Sequence, residues 1–298
     1  MIDFLRYRTA TALFSLSIIA LFVGTFIYKR QVNGQAFNYS VDFTGGVQVL
    51  FEFSKPVKSS DIKEALSKAK QSWGNAITRE FNEKEILVRV GVDEFENDVK
   101  GLAERMRQAL SQSFADNTVI VKQTEAVGAG VGENLTWQAL KAILLSLILM
   151  LLYIAYRFKS VGYAAGAVIA LGHDTLVMLA VFLFTGREIS NAVLAAVIMV
   201  LGYSINDTII IFSRIRENVK AMPGKSLADI VNISINKTLT RTILTSLTTV
   251  ISIVSMLLLG GEALRDLAIG LMVGVVFGTY SSIYIASPVM MLFQKSRS

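Results

Sequence analysis

The sequence predicts a polytopic α-helical membrane protein, six transmembrane helices with one exported α+β domain. Three observations carry that prediction. Of 298 residues 53% are hydrophobic and 17% charged, and the mean hydropathy is +0.52, above the range of a soluble domain. Six stretches approach or exceed the ~20 apolar residues that cross a bilayer as helix. One polar interval of about a hundred residues separates the first stretch from the second.

The first stretch, Ala10 to Tyr28, follows a short N-terminal tail, so residues 1–30 read as tail and anchor. Its apolar run is too long for the core of a signal peptide, and Lys29 and Arg30 follow it with no small-residue cleavage site. Residues 31–137 form the polar interval. Strand-like alternation occupies Val47 to Phe53, Ala76 to Phe81, Glu85 to Val90 and Thr118 to Thr124. Helical spacing links Ile62, Ala65, Leu66 and Ala69, and again Phe95, Val99, Leu102, Met106 and Leu110, with Ser59 or Ser60 as the first helix's cap. Strand, helix, strand, strand, helix, strand is the split βαβ order of a two-layer, ferredoxin-like domain.

Residues 138–298 hold five more spans: Gln138 to Tyr156, Val161 to Phe184, Ile189 to Phe212, Leu239 to Leu259 and Leu264 to Phe293. A cytoplasmic loop at about 213–238 joins the third and fourth of these. Within it PGKSLADI reads as a turn and a short amphipathic helix at the lipid surface, capped by Ser226. Gly270, Gly274 and Gly278 recur every four residues in the last span, a smooth face for close helix approach.

Charge sets the orientation. The polar interval holds 12 basic and 15 acidic residues, leaving 17 basic and 8 acidic for the apolar remainder. Twelve basic residues fall on one side of the membrane, from Arg6 and Arg8 to Lys295 and Arg297, whereas the opposite short loops carry only Arg187 and Arg265. Both termini are therefore expected in the cytoplasm and the large domain outside. A charge that flanks apolar spans also argues against a nucleic-acid surface. With no Cys and one His, thiolate sites and multi-His metal centres are excluded, and no metal or cofactor is expected. No HExxH and no nucleophile elbow is present, so the chain reads as a transport component, not an enzyme.

Two glycine clusters, DFTGG at 42–46 and VGAGVGENL at 127–135, frame the exported domain. The second lacks the spacing and Lys of a phosphate loop. Asp42, Gly45, Gly46, Gly128 and Gly132 are instead assigned to junctions or hinges, with a tight turn as the simpler reading of DFTGG.

Ionisable groups inside spans are costly and need partners or work. The third span carries His173 and Asp174, the fourth Asn206 and Asp207, and the fifth begins at Arg241 amid a Thr and Ser series. Taking each span to end with its apolar run places Asp207 roughly 8 Å from the cytoplasmic end, level with Arg241, and Asp174 roughly 20 Å in. These groups would form a staggered polar path. An ion pair that only fixes helix register is the alternative for Asp207 with Arg241. Burial favours a neutral carboxyl and a nearby guanidinium a charged one, so moving Arg241 away could drive proton uptake. For His173 a packing role stands beside proton relay. The Thr and Ser residues from Thr238 to Ser252 either hydrate a groove or bond back to their own helix.

The segments DFTGG, VGAGVGENL, YRFKSVGYAAGAVIALGHD at 156–174, GYSINDTIIIFSRIREN at 202–218 and NKTLTRTILTSLTT at 236–249 together resemble the SecD/SecF family. The resemblance covers nearly the whole chain. It implies half of a resistance-nodulation-division-like transporter, working with SecD in the bacterial inner membrane. It further implies use of the proton-motive force to promote late stages of preprotein translocation through the Sec translocon of SecY, SecE and SecG. YidC and the unfolded preprotein are further implied partners, besides the lipid bilayer. By resemblance Asp207 matches the family's proton-linked carboxylate and Arg241 its arginine; Asn206, Asp174 and His173 join the expected proton-coupling set from the polar path alone. Ser213 departs from the usual acid, and Ala129 and Asn134 from a usual Pro and acid. The runner-up function is a self-contained proton-driven exporter of a small or lipidic molecule. Six spans with one exported domain look like one repeat of a two-repeat transporter, which favours a separate partner.

Overall fold

Helices extend well beyond the apolar runs that mark them. The computed structural model describes residues 2–91 and 98–295. Among these, six helices are long and apolar enough to cross a membrane. The chain divides into two compact units, residues 1–38 with 140–298, and residues 39–139.

In the second unit the short strand Asn38–Tyr39 (β1), whose second residue opens it, leads to a four-residue helix Val41–Thr44 (α2). Then follow Gly46–Phe53 (β2), Ser59–Ala69 (α3), Ile77–Asn82 (β3), Glu85–Val90 (β4), Val99–Ser113 (α4) and Val119–Val127 (β5). The sheet order is β3-β4-β2-β5 with every pair antiparallel, consistent with the ferredoxin-like layout expected from sequence. Alternation explains the core: Val47, Val49, Phe51 and Phe53 of β2 share one buried face with Ile86, Val88 and Val90 of β4. Ile62 and Leu66 of α3 and Leu102, Met106 and Leu110 of α4 cover it. Phe95, assigned to the second helical face, lies outside the described residues. The expected Ser cap of α3 is displaced. Lys58 occupies the cap position, Ser59 Oγ donates to Thr78 of β3, and Glu80 Oε1 accepts from Ser59 N at 2.6 Å. The neighbouring strand thus satisfies the helix's orphan donor.

Because this core closes within the unit, a fragment covering residues 39–128 should fold alone. Circular dichroism should show a mixed αβ spectrum with one cooperative melt; a disordered spectrum would show that the sheet needs the membrane part.

The first unit is built from Arg8–Asn33 (α1), the C-terminal part of Ala129–Phe158 (α5), Val161–Thr185 (α6), Asn191–Ala221 (α7), Leu227–Leu259 (α8), Gly261–Ser281 (α9) and Ser287–Lys295 (α10). A two-residue strand, Glu188–Ile189 (β6), precedes α7. Helices α6, α7 and α9 are the most buried, and α8 and α1 lie against them. Small residues on α6, Ala164, Ala167 and Ala170, are buried among its neighbours. At one end Tyr163 stacks on Phe158 and meets the edge of Phe212. Toward the other end Lys29 Nζ donates to the Leu183 carbonyl, covering a last-turn acceptor of α6. Arg187 pairs with Asp266 of α9.

Two expectations need correction. The fourth span does not stop at Phe212: α7 continues to Ala221 because SRIRENVKA is polar yet helix-favouring, with Arg214 and Glu217 paired at i, i+3. PGKSLADI does not form a separate surface helix. Ser226 does cap a helix, accepting from Asp229 N at 3.1 Å, but that helix is α8 itself, and Ile230, Val231 and Ile235 are buried. The last span runs as expected in one piece, from α9 through a π-helical turn, Ser282–Ala286, into α10.

Candidate functional site: a buried carboxylate layer

The longer helices change how far the charged groups stand from the helix ends, not how they stand relative to one another. Asp174 lies thirteen residues after Val161, Asp207 fourteen before Ala221 and Arg241 fourteen after Leu227, each about 20 Å from the cytoplasm-assigned end of its helix. The contacts between helices keep the expected stagger within one polar cluster: Tyr163 of α6 meets Phe212 of α7 and Asp174 bonds Ser204, so Asp207, with Arg241 beside Ile209 and Ile210, lies about one turn nearer the Phe212 end than Asp174.

Asp174 is the hub of this cluster. The side chain is fully buried in α6, and Oδ2 accepts from Ser204 Oγ of α7 at 2.6 Å and from Ser281 Oγ of α9 at 2.7 Å. Oδ1 lies 3.1 Å from His173 Nδ1. Three helices are thereby tied to one carboxyl group, whose acceptor sites are met as burial requires. The close approach of α9 to α7 makes this reach possible. A Cβ on Gly278 would lie 3.0 Å from Ser204 Cβ, and one on Gly274 would overlap the methyls of Val200. The spacing of these glycines thus does the packing expected from sequence. Ser281 also stands immediately before the π-helical turn. The partnership of Asp174 with Ser204 and Ser281 was missed because isolated serines in spans carry no signal of their own.

His173 is buried against the rings of Phe277 and Tyr280, and its Nε2 is buried without a hydrogen-bond partner among the described residues. Adjacent residues on a helix diverge by about 100°, yet the imidazole turns back to its neighbour's carboxyl.

Asp207 sits on α7 one turn from Ser204, 1% exposed, and its Oδ2 has no hydrogen-bond partner among the described residues. Arg241 is exposed on α8, and no ion pair joins it to Asp207. With Lys237, Thr238, Ser213, Arg214 and Glu217 it lines a separate cleft of about 350 Å³. Asn206 is exposed, on a different face from Asp207. The Thr and Ser series on α8 mostly bonds back to its own helix: Thr245, Thr248, Thr249 and Ser252 each donate to the carbonyl four residues earlier. Ser246 instead meets Thr279 of α9 at 2.6 Å.

Within the second unit the two glycine motifs touch. Ser40 Oγ donates to Asp42 Oδ2 at 2.9 Å and accepts from Asp42 N, starting α2. Gly45 and Gly46 follow with φ of 70° and 117°, where L side chains are strained. A Cβ on Gly132 would lie 2.7 Å from the Phe43 carbonyl oxygen, so the exit motif backs directly onto DFTGG. Gly128 has open space around it and accepts, through its carbonyl, the first hydrogen bonds of α5.

The family model for the SecD/SecF C-terminal region of protein export membrane proteins matches residues 106–296, and that for the SecD/SecF GG motif matches residues 34–57. The chain is 35% identical to protein translocase subunit SecF of Calditerrivibrio nitroreducens, over 99% of this chain and 95% of that one. It is 38% identical to SecF of Vibrio alginolyticus, over 96% and 88%. The crystal structure of SecDF, a translocon-associated membrane protein from Thermus thermophilus, superposes with a TM-score of 0.84 at 34% identity, covering 99% of this chain and 39% of that longer one. Sequence identity over nearly its full length, the two family models and the shared architecture agree: the chain belongs to the SecD/SecF family of protein-export membrane proteins.

Proposed function

We propose that this multi-pass protein is an accessory subunit of the Sec export machinery, not an enzyme, which works with SecD and uses the proton-motive force to promote late stages of translocation. One observation supports this most: Asp207, buried in the bilayer-spanning bundle, has an oxygen with no partner among the described residues while Arg241 stands at a similar level on α8. A charged carboxyl in such a place needs a partner and a neutral one does not. Proton uptake and release at Asp207 would therefore bias α7 and α8 between an apart arrangement and a paired one. Asp174, held by two hydroxyls and an imidazole, is the fixed anchor beside it, and His173 keeps one nitrogen for relay.

In this reading both termini are cytoplasmic, the protein lies in the inner membrane, and the αβ domain is exported. There it takes the emerging unfolded preprotein near SecY, SecE and SecG, with YidC alongside. Gly46 and Gly132 make close contacts whereas Gly128 has open space, which supports Gly128, with Gly45, as a bending point. Co-purification from native membranes tests the partnership. A tagged chain should retain SecD and, after cross-linking, SecY. A chain that runs alone, with no second six-span protein and no translocon, would instead support the self-contained exporter.

A further inference from the structure

Helices α1, α6 and α10 do not close against one another along their whole length. Near the ends of α1 and α6 that lead to the exported domain and β6, Phe22 packs on Ala180 and Leu183. Toward the other end the helices part around a groove of about 1650 Å³. Along α6 the groove runs from Val161 to Leu176, about 22 Å of helical rise, and along α1 from Arg8 to Ile19, about 17 Å. A bilayer's hydrocarbon core is about 30 Å thick. The groove thus reaches from one interface to just past the midplane along α1 and somewhat deeper along α6, where His173 and Leu176 wall it, and stops short of the opposite interface.

That depth selects the occupant. A crossing helix needs the full thickness, whereas the acyl chains of one leaflet need half. Polarity follows the same axis. Leu16, Ile19, Ile169 and Ile285 line the depth, and Thr9, Ser160, Ser226 and Gln294 line the mouth with Arg8. Arg8 is exposed and forms no ion pair among the described residues. Asp229 stands near this end but accepts from the Ser226 hydroxyl at 2.6 Å and does not line the groove. We infer that the groove holds one anionic phospholipid, its acyl chains between α1 and α6 and its phosphate at Arg8. The choice of leaflet rests on the proposed orientation, which turns this mouth toward the anionic cytoplasmic surface. Binding itself needs neither export nor a gradient, so its test stands apart from the coupling mechanism.

The full chain is purified in mild detergent and offered dioleoyl phosphatidylglycerol or dioleoyl phosphatidylcholine, and native mass spectrometry counts what is retained. Wild type should keep one phosphatidylglycerol with about fivefold preference, the effect of one near-surface cation. Arg8→Gln should abolish the preference while still retaining lipid. Gly172→Leu should lose both lipids, since a Cβ there meets nothing within 4 Å and the longer side chain fills the groove. If that variant accumulates poorly, Ile169→Trp is read instead, on the same wall and 47% exposed. A photo-cross-linking residue at Ile169 in native membranes should yield a phospholipid-sized adduct. Equal retention of both lipids by wild type, undiminished retention by the filled variants, or a protein adduct at Ile169 would each overturn the inference.

Discussion

Gly274→Ala should destabilise the membrane bundle although alanine is the better helix former. In an open helical position the exchange stabilises by up to about 1 kcal/mol, and Gly24, with nothing within 4 Å of its added Cβ, supplies that control. At Gly274 the new methyl would lie 2.6 Å from Val200 Cγ1 and closer still to Cγ2. Val200 is β-branched and buried, so it has few rotamers to retreat to. Overpacking of this kind costs about 1–3 kcal/mol. It also lifts α9 from α7 and strains the reach of Ser281 to Asp174. Thermal unfolding in detergent should show Gly274→Ala several degrees below wild type and Gly24→Ala at or above it. Val200→Ala removes the offending methyls, so the double variant should recover most of the loss, a coupling expected only of residues in contact. Equal melting of Gly274→Ala and wild type would mean that α7 and α9 do not meet as described.

That contact was legible in the sequence because spacing by four puts Gly270, Gly274 and Gly278 on one helix face. The spans were legible for a similar reason, since the bilayer demands continuous apolar runs. Their true lengths were not. Hydropathy ends at Phe212, but helix propensity carries α7 on to Ala221, more than two turns further. Asp174 and Asp207 were found from the cost of burying charge. The partners of Asp174, Ser204 and Ser281, stand 30 and 107 residues away and reach it through the rotation of three helices, which no local pattern records. In the αβ domain the strands followed from alternation, whereas the contact of Gly132 with Phe43 depends on tertiary approach alone.

Asp207→Asn should abolish the response of export to a proton gradient while leaving the fold and partner binding intact. The substitution keeps size and hydrogen-bonding capacity and removes only titration. Moving one charge through the membrane field is worth about 2.3 kcal/mol per 100 mV, enough to shift a two-state element by more than tenfold if the titrating group faces one side in each state. Asp207→Glu keeps a titrating group and should retain part of the response. Arg241→Met removes the cation that the charged carboxyl would pair with, and should uncouple as well. The double variant should be little worse than either single one, because both break the same cycle. The measurement is made in inverted membrane vesicles carrying the full complex, with ATP supplied and the gradient switched on or off, following preprotein import. Wild-type vesicles should be stimulated and Asp207→Asn vesicles should proceed at the gradient-free rate. Full stimulation of Asp207→Asn vesicles would make Asp207 a structural charge and contradict proton coupling through this site.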